Sequence, residues 1–255
     1  MQRTFKLTIA YEGTRYSGWQ VQPGEATIQG ALQEALSAVS NEPVSVIGSG
    51  RTDAGVHAIG QVVSCRLNFS GDPERLSLAL NTKLPEDIVV RDSKVIQDDF
   101  HAIRDAARKR YRYQLQVGGV SSPFQRRYRW RLRKSISVNR MCEAAKYIVG
   151  EKDFASFQAT GAERKTTIRT VYACDVFEQS YLESSEGVSV AIEIEANGFL
   201  YNMVRNIVGS LVEVGSGKQK PEWIQSILDA KDRSIAGPTA PPHGLFLLRV
   251  DYPDH

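Results

Sequence analysis

Apolar and polar residues alternate along residues 5–11, where Phe5, Leu7, Ile9 and Tyr11 share one face, and this period of two predicts a strand. The period then changes. Ile28, Leu32, Leu36 and Val39 recur at helical spacing behind Thr27, a suitable N-cap, and predict a helix over 28–39. Apolar runs at 43–49 and 60–67 predict two strands. Asp72-Pro73 opens a short helix through Leu76 and Leu80 that Pro85 closes, and a strand at 87–96 completes a β-α-β-β-α-β order. The remainder repeats the theme loosely. It predicts strands at 107–117 and 127–133, a helix near 138–149, strands at 170–177 and 188–196, helices near 201–214 and 221–230, and a last strand at 244–252. Two such α/β halves, 1–104 and 105–255, predict an α+β protein with mostly antiparallel or mixed sheets. They form one continuous sheet or two tightly joined subdomains, since no low-complexity linker divides them.

Composition adds little to this picture but removes alternatives. A hydrophobic fraction of 42% and a charged fraction of 24% fit a soluble globular chain. The first residues, Met1-Gln2-Arg3-Thr4-Phe5-Lys6, lack the apolar core of a secretory signal. No apolar run approaches the ~18 residues of a membrane span. Cys65, Cys142 and Cys174 are odd in number and widely spaced, which suits reduced thiols in a cytoplasmic protein and argues against a disulfide frame or zinc site. His57, His101, His243 and His255 show no metal-ligand spacing either, so no metal is expected.

Charge changes the picture more. Residues 104–134 hold eleven bases and one acid, a balance of +10, whereas the whole chain carries +3 and its remainder therefore −7. Positive charge gathered in one stretch of an otherwise acidic chain is the footprint expected for a polyanion, with nucleic acid first in line. In the strand 107–117, Lys109, Tyr111, Tyr113, Leu115 and Val117 share one face, and Arg108, Arg110, Arg112, Gln114 and Gln116 the other. Tyr111 sits at the wetter end of the apolar side, as a core tyrosine or as a platform for an exposed base. In 127–133, Arg127, Arg129, Arg131 and Arg133 alternate with Tyr128, Trp130 and Leu132. Four arginines on one sheet face repel unless phosphates or acids lie opposite, and a phosphate track is the favoured reading.

The densest chemistry is Gly50-Arg51-Thr52-Asp53-Ala54-Gly55-Val56-His57-Ala58. Two glycines permit a tight loop projecting Asp53, and in an extended segment Arg51 falls on the same face, where it favours the ionised carboxylate. An ordinary turn with a surface ion pair has the same composition. Arg205 borders the apolar stripe Val204, Ile207, Val208, Leu211 and Val212. It either snorkels to solvent or turns inward toward a carboxylate, for which Asp53 is a candidate. The loop 13–20 sets Arg15, Tyr16, Trp19 and Gln20 around two glycines, as a hairpin tip with buried aromatics or as an aromatic and basic finger for RNA.

Together these segments resemble the tRNA pseudouridine synthase A family. The stretch Gly50 to Ala58 is similar to its catalytic motif. Gly13-x-x-Tyr16-x-Gly18-Trp19-Gln20 resembles its N-terminal loop, Arg110-Tyr111-Arg112-Tyr113 its tyrosine-bearing strand, and Asn197-Gly198-Phe199-Leu200-Tyr201-x-Met203-Val204-Arg205-Asn206 its C-terminal motif. The likeness runs from Phe5 to Tyr252 with the motifs in family order. It implies a fold of two similar α/β halves around a central basic cleft, a homodimer, no cofactor or metal, and tRNA as substrate. The implied reaction converts uridine to pseudouridine in the anticodon stem-loop, at tRNA positions 38 to 40. Asp53 becomes the catalytic aspartate that attacks or deprotonates the ribose, Tyr111 packs on the extracted base, Arg205 orients Asp53, and Arg51 helps hold the nucleotide out of its stem. Further substrate contacts are expected from Arg15, Trp19, His57, Arg108, Arg110, Arg127 and Arg129.

Physical requirements agree with that reading. Uracil must leave C1′, rotate and rejoin through C5, so the nucleotide has to be flipped from its helix, and the chemistry needs an ionised carboxylate in a preorganised site. Two rivals stay open: an RNA-binding protein in which Asp53 is a turn residue, and an aspartate-dependent hydrolase needing a second carboxylate nearby. Relatives with similar motifs modify other tRNA positions, while Ala54 and the compact C-terminus ending at His255 favour the bacterial anticodon-arm type.

Overall fold

The computed structural model describes residues 2–120, 122–161, 166–179 and 187–253; His255 lies outside them. The chain divides into two compact units, Met1–Ala107 with Phe246–His255, and Arg108–Leu245. Within the first unit β1 (Arg3–Tyr11) runs antiparallel to β3 (His57–Leu67) on one side and β4 (Ile88–Ile96) on the other, with β2 (Val46–Gly48) added antiparallel to β3. The alternation of β1 is realised as expected: Phe5, Leu7 and Ile9 are wholly buried and Tyr11 nearly so. Helix α1 (Ile28–Ser40) starts at Thr27, whose hydroxyl accepts from the Gly30 N–H at 3.3 Å, and buries Ile28, Leu32, Ala35 and Leu36. Helix α2 (Pro73–Asn81) buries Leu76 and Leu80 and packs on β4. Asn81 locks that packing, its amide donating to the Val90 carbonyl and its oxygen accepting from the Val90 N–H, at 2.9 and 2.8 Å.

In the second unit β5 (Arg108–Val117), β9 (Val188–Ala196), β8 (Ile168–Gln179) and β7 (Gly150–Asp153) follow one another antiparallel. The short β6 (Trp130–Leu132) pairs parallel with the end of β5. Helices α3 (Val138–Ala145), α4 (Met203–Gly215) and α5 (Trp223–Ala230) complete it. Helix α4 was expected to be apolar on one stripe. It is buried almost all round, because residues 237–240 lie along its other side: Gly237 N–H donates to the Ser210 hydroxyl at 2.9 Å and Ala240 N–H to the Arg205 carbonyl at 3.1 Å.

Two expectations are corrected. The strand predicted over 127–133 covers only Trp130–Leu132. The Ser122 carbonyl accepts from the Arg126 N–H and the Gln125 carbonyl from the Tyr128 N–H, which curls 122–128 into turns. The four arginines therefore do not line one strand face. The last strand, β10 (Leu245–Asp251), was expected in the second half. It belongs to the first unit, where Phe246 and Leu247 pair in parallel with His57 and Ala58. The α+β class with mostly antiparallel or mixed pairing is what the sequence predicted. Among the described residues no helix is long and apolar enough to cross a membrane.

Candidate functional site

Asp53 occupies the first corner of a tight turn. Its carbonyl accepts from the Val56 N–H at 3.1 Å, and Gly55 takes φ +76° at the third position, where a turn of this shape demands a residue that tolerates positive φ. Both sides of the loop are pinned from the strands below. The buried Gln61 donates to the Gly50 carbonyl at 2.8 Å and accepts from the Ser49 hydroxyl at 2.6 Å. Tyr11 and Thr52 share a hydroxyl hydrogen bond of 2.8 Å, and burial pushes the Tyr11 phenol far above its ordinary pKa, so it stays protonated. Asp53 itself is half-buried. The loop thus presents a carboxylate on a backbone that has little freedom to move, which is what a catalytic group needs.

Of the two readings of the motif at 13–20, the structure shows the one with buried aromatics, Tyr16 and Trp19. Trp19 is 2% exposed, its ring lies 6.3 Å from that of Tyr11, and its backbone N–H donates to the Thr52 carbonyl at 3.0 Å. Trp19 is thus packed against the segment that carries Asp53. His57 is buried as well. It is 1% exposed, stacked on Phe246 at 4.7 Å, and its Nδ1 accepts from the Gly13 N–H at 3.0 Å. Tyr16 is likewise inside, donating to Asp87 at 2.5 Å. Arg15 and Arg51, by contrast, are exposed and available to a ligand. The signals missed were the polar residues set in apolar strands, Gln61 above all, since a polar group buried in a sheet must have a partner.

In the second unit Tyr111 is 8% exposed on β5, with Phe199 edge-on at 5.0 Å and 84°. The next tyrosine on that face, Tyr113, is fully buried and donates to the Pro241 carbonyl at 2.7 Å. Apolar burial therefore does thin toward Tyr111, as the alternation suggested. Arg205 stands in the first turn of α4, half-buried. Its Nε donates to the Ala240 carbonyl at 2.7 Å and a terminal nitrogen to the Asn202 side-chain oxygen at 2.8 Å. Asn206 beside it is a wholly buried hub. Its amide donates to the Phe157 carbonyl, and its oxygen accepts from Arg233 and Thr239, at 2.8, 3.1 and 2.7 Å. These contacts fix the start of the helix, and with it Arg205.

The basic face of β5 carries its own counter-ions. Arg110 Nε donates to Glu193 at 2.6 Å and its guanidinium reaches Glu195 and Asp175 at 3.5 and 3.4 Å, while Arg112 Nε donates to Glu193 at 2.7 Å. Arg108 lies 3.3 Å from Glu195 and over the Tyr172 ring at 4.4 Å. Arg108, Arg110 and Arg112 thus form an ion-pair ladder with β9, which places Glu195 opposite Arg110 and Glu193 opposite Arg112. Burial alone would push the Glu193 carboxyl up, but Arg112 and Arg110 together hold it below the usual carboxylate value. A depressed folded-state value contributes stability above the unfolded pKa of ~4.3, lost as pH falls through the folded value. Arg112→Gln is expected to destabilise the protein by about 1–3 kcal/mol, between exposed and buried pairs. Chemical denaturation should show that difference at pH 7 and see it shrink toward pH 3; a constant difference would mean the loss is packing. Of the other predicted contacts, Arg127 is exposed in the turn after β5, whereas Arg129 is half-buried and donates to the Ser189 hydroxyl at 2.9 Å.

Comparison with known proteins gives a consistent picture. A family model described as tRNA pseudouridine synthase matches residues 7–103 and 144–253. A protein of Thermoanaerobacter sp. (strain X514) named tRNA pseudouridine synthase A is 44% identical over 250 residues, 98% of this chain and 100% of its own length. The proteins of that name from Chlamydia muridarum and Exiguobacterium sp. are 46% and 42% identical. They cover 99% and 98% of this chain, and 93% and 98% of their own lengths.

Proposed function

Because the chain belongs to the tRNA pseudouridine synthase family, we propose that this isomerase forms pseudouridine in the anticodon stem-loop of tRNA, at positions 38 to 40. The observation that carries the reading is near full-length identity of 44% to a protein named tRNA pseudouridine synthase A, with no large segment of either chain left over. The pinned turn under Asp53 supports it from the side of chemistry.

In this reading the target nucleotide is flipped out of the stem at a cost of a few kcal/mol. Asp53 attacks or deprotonates the ribose as the glycosidic bond breaks, and uracil rotates and rejoins C1′ through C5. Tyr111 packs on the freed base, Arg205 orients and ionises Asp53, and Arg51 holds the nucleotide out. Trp19 and His57 act indirectly, by fixing the loop. The reaction uses no metal or cofactor, and the enzyme works in the cytoplasm as a homodimer with tRNA spanning both subunits.

The test is tritium release from uracil-C5-labelled tRNA transcripts carrying a single labelled uridine at position 38, 39 or 40. Release from these and not from transcripts labelled elsewhere is expected. Release only from other positions would move the site, and none from any would leave an RNA-binding protein. Binding should weaken steeply with salt as phosphates release counterions; an affinity flat across the salt range would remove the phosphate contacts from the proposal.

A further inference from the structure

Between β5 and β6 the chain makes an excursion whose tip is Phe124. That ring is 82% exposed, more than any other large apolar residue among those described, and Val120 on the same excursion is 69% exposed. The excursion is built, not loose. Gly118 N–H donates to the Leu132 carbonyl at 2.8 Å, and the Gln116 amide, itself buried, donates to the Val120 carbonyl at 2.7 Å. The Ser122 carbonyl accepts from both Gln125 and Arg126 at 3.3 and 3.1 Å, and Tyr128 N–H donates to Gln125 at 2.9 Å. Phe124 is therefore held out in solvent on a hydrogen-bonded turn.

Its surroundings narrow the occupant. Residues 118–134 contain six bases and no acid, and Arg126, Arg127, Arg131, Arg133 and Lys134 are all exposed. A second copy of the chain pressing this surface against itself would set like charges together. Unstacked nucleotides instead offer an aromatic face and a phosphate at one spacing.

Resting on the proposed tRNA substrate, we propose that Phe124 stacks on an unpaired nucleotide of the tRNA while the adjacent Arg126 and Arg127 hold its flanking phosphates. The finger sought in the sequence at 13–20 is thus placed at 122–128, in the stretch between the two segments that the family model matches. The stack is a binding contact and takes no part in the chemistry.

The experiment measures equilibrium binding of full-length tRNA transcript, and kcat and KM of tritium release, for the wild type, Phe124→Ala, Phe124→Trp and Arg126→Ala. Phe124→Ala is expected to weaken binding about fivefold to a hundredfold, the range for one aromatic–base stack, raising KM with kcat little changed. Phe124→Trp should recover most of that loss. Arg126→Ala should lower the slope of log affinity against log salt by about one, which Phe124→Ala leaves alone. Unaltered binding by a folded Phe124→Ala protein overturns the proposal, as does conversion to monomers in sedimentation with tRNA affinity per protomer intact. If the wild type binds tRNA through Phe124 but releases no tritium, the enzyme reading fails and the finger stands. If it makes pseudouridine and Phe124→Ala matches it in affinity and KM, the finger fails alone.

Discussion

Asp53→Asn is expected to eliminate measurable tritium release from labelled tRNA while leaving tRNA binding within about twofold. The change is nearly isosteric and leaves in place the Asp53 carbonyl that accepts from the Val56 N–H at 3.1 Å. The loop should therefore keep its shape, held still by Gln61 and by the Tyr11–Thr52 hydroxyl pair. What is lost is the charge. An amide can neither take the proton nor attack the sugar, and removing a residue that acts at the reacting centre costs roughly 10⁴–10⁶ in rate. The lost charge acts in the chemical step, so the loss should fall on kcat and not on affinity. Release by both proteins would keep the enzyme and discard Asp53 as its catalytic group. Binding by both with release by neither would return the protein to the RNA-binding reading.

How much of this was legible depends on how far apart the partners lie in sequence. The alternation through Phe5, Leu7 and Ile9 and the cap at Thr27 are local signals, and the elements they predict are present. The Asp53 turn was visible for the same reason, since its glycine lies two residues away. The ion pairs of the β5 arginines were not legible because their partners are remote: Glu193 and Glu195 lie more than eighty residues on, and only strand pairing sets them opposite Arg112 and Arg110. Residues 127–133 imitate a strand by alternation alone, yet parallel pairing with β5 takes up three of them, and neighbouring carbonyls bend the rest into turns. The depth of Trp19 was not legible. Sequence shows an aromatic between glycines in a loop, whereas its burial follows from the loop's docking against Thr52.

That docking makes the second large effect predictable. Gly13→Ala is expected to lower kcat by about 10²-fold with tRNA binding retained, and to destabilise the protein by about 1–3 kcal/mol as overpacking does. A Cβ on Gly13 would lie 2.0 Å from the Val56 carbonyl oxygen and 2.8 Å from its carbon, both backbone atoms that cannot rotate away. Something must move by about an ångström. Either segment 13–15 lifts, losing the Gly13 N–H bond to His57 Nδ1, or Val56 retreats and drags the turn it closes with Asp53. A displacement of that size at a reacting group is worth about two orders of magnitude in rate. Thermal melts give the stability loss, and single-turnover kinetics well below the melting temperature isolate the rate from unfolding. Arg112→Gln, destabilised to a similar degree through the ion-pair ladder, is the control. If it slows the reaction as much as Gly13→Ala does, lost stability alone explains the rate. If Gly13→Ala melts early yet turns over normally, the loop tolerates the shift and Asp53 is positioned by something other than this close approach.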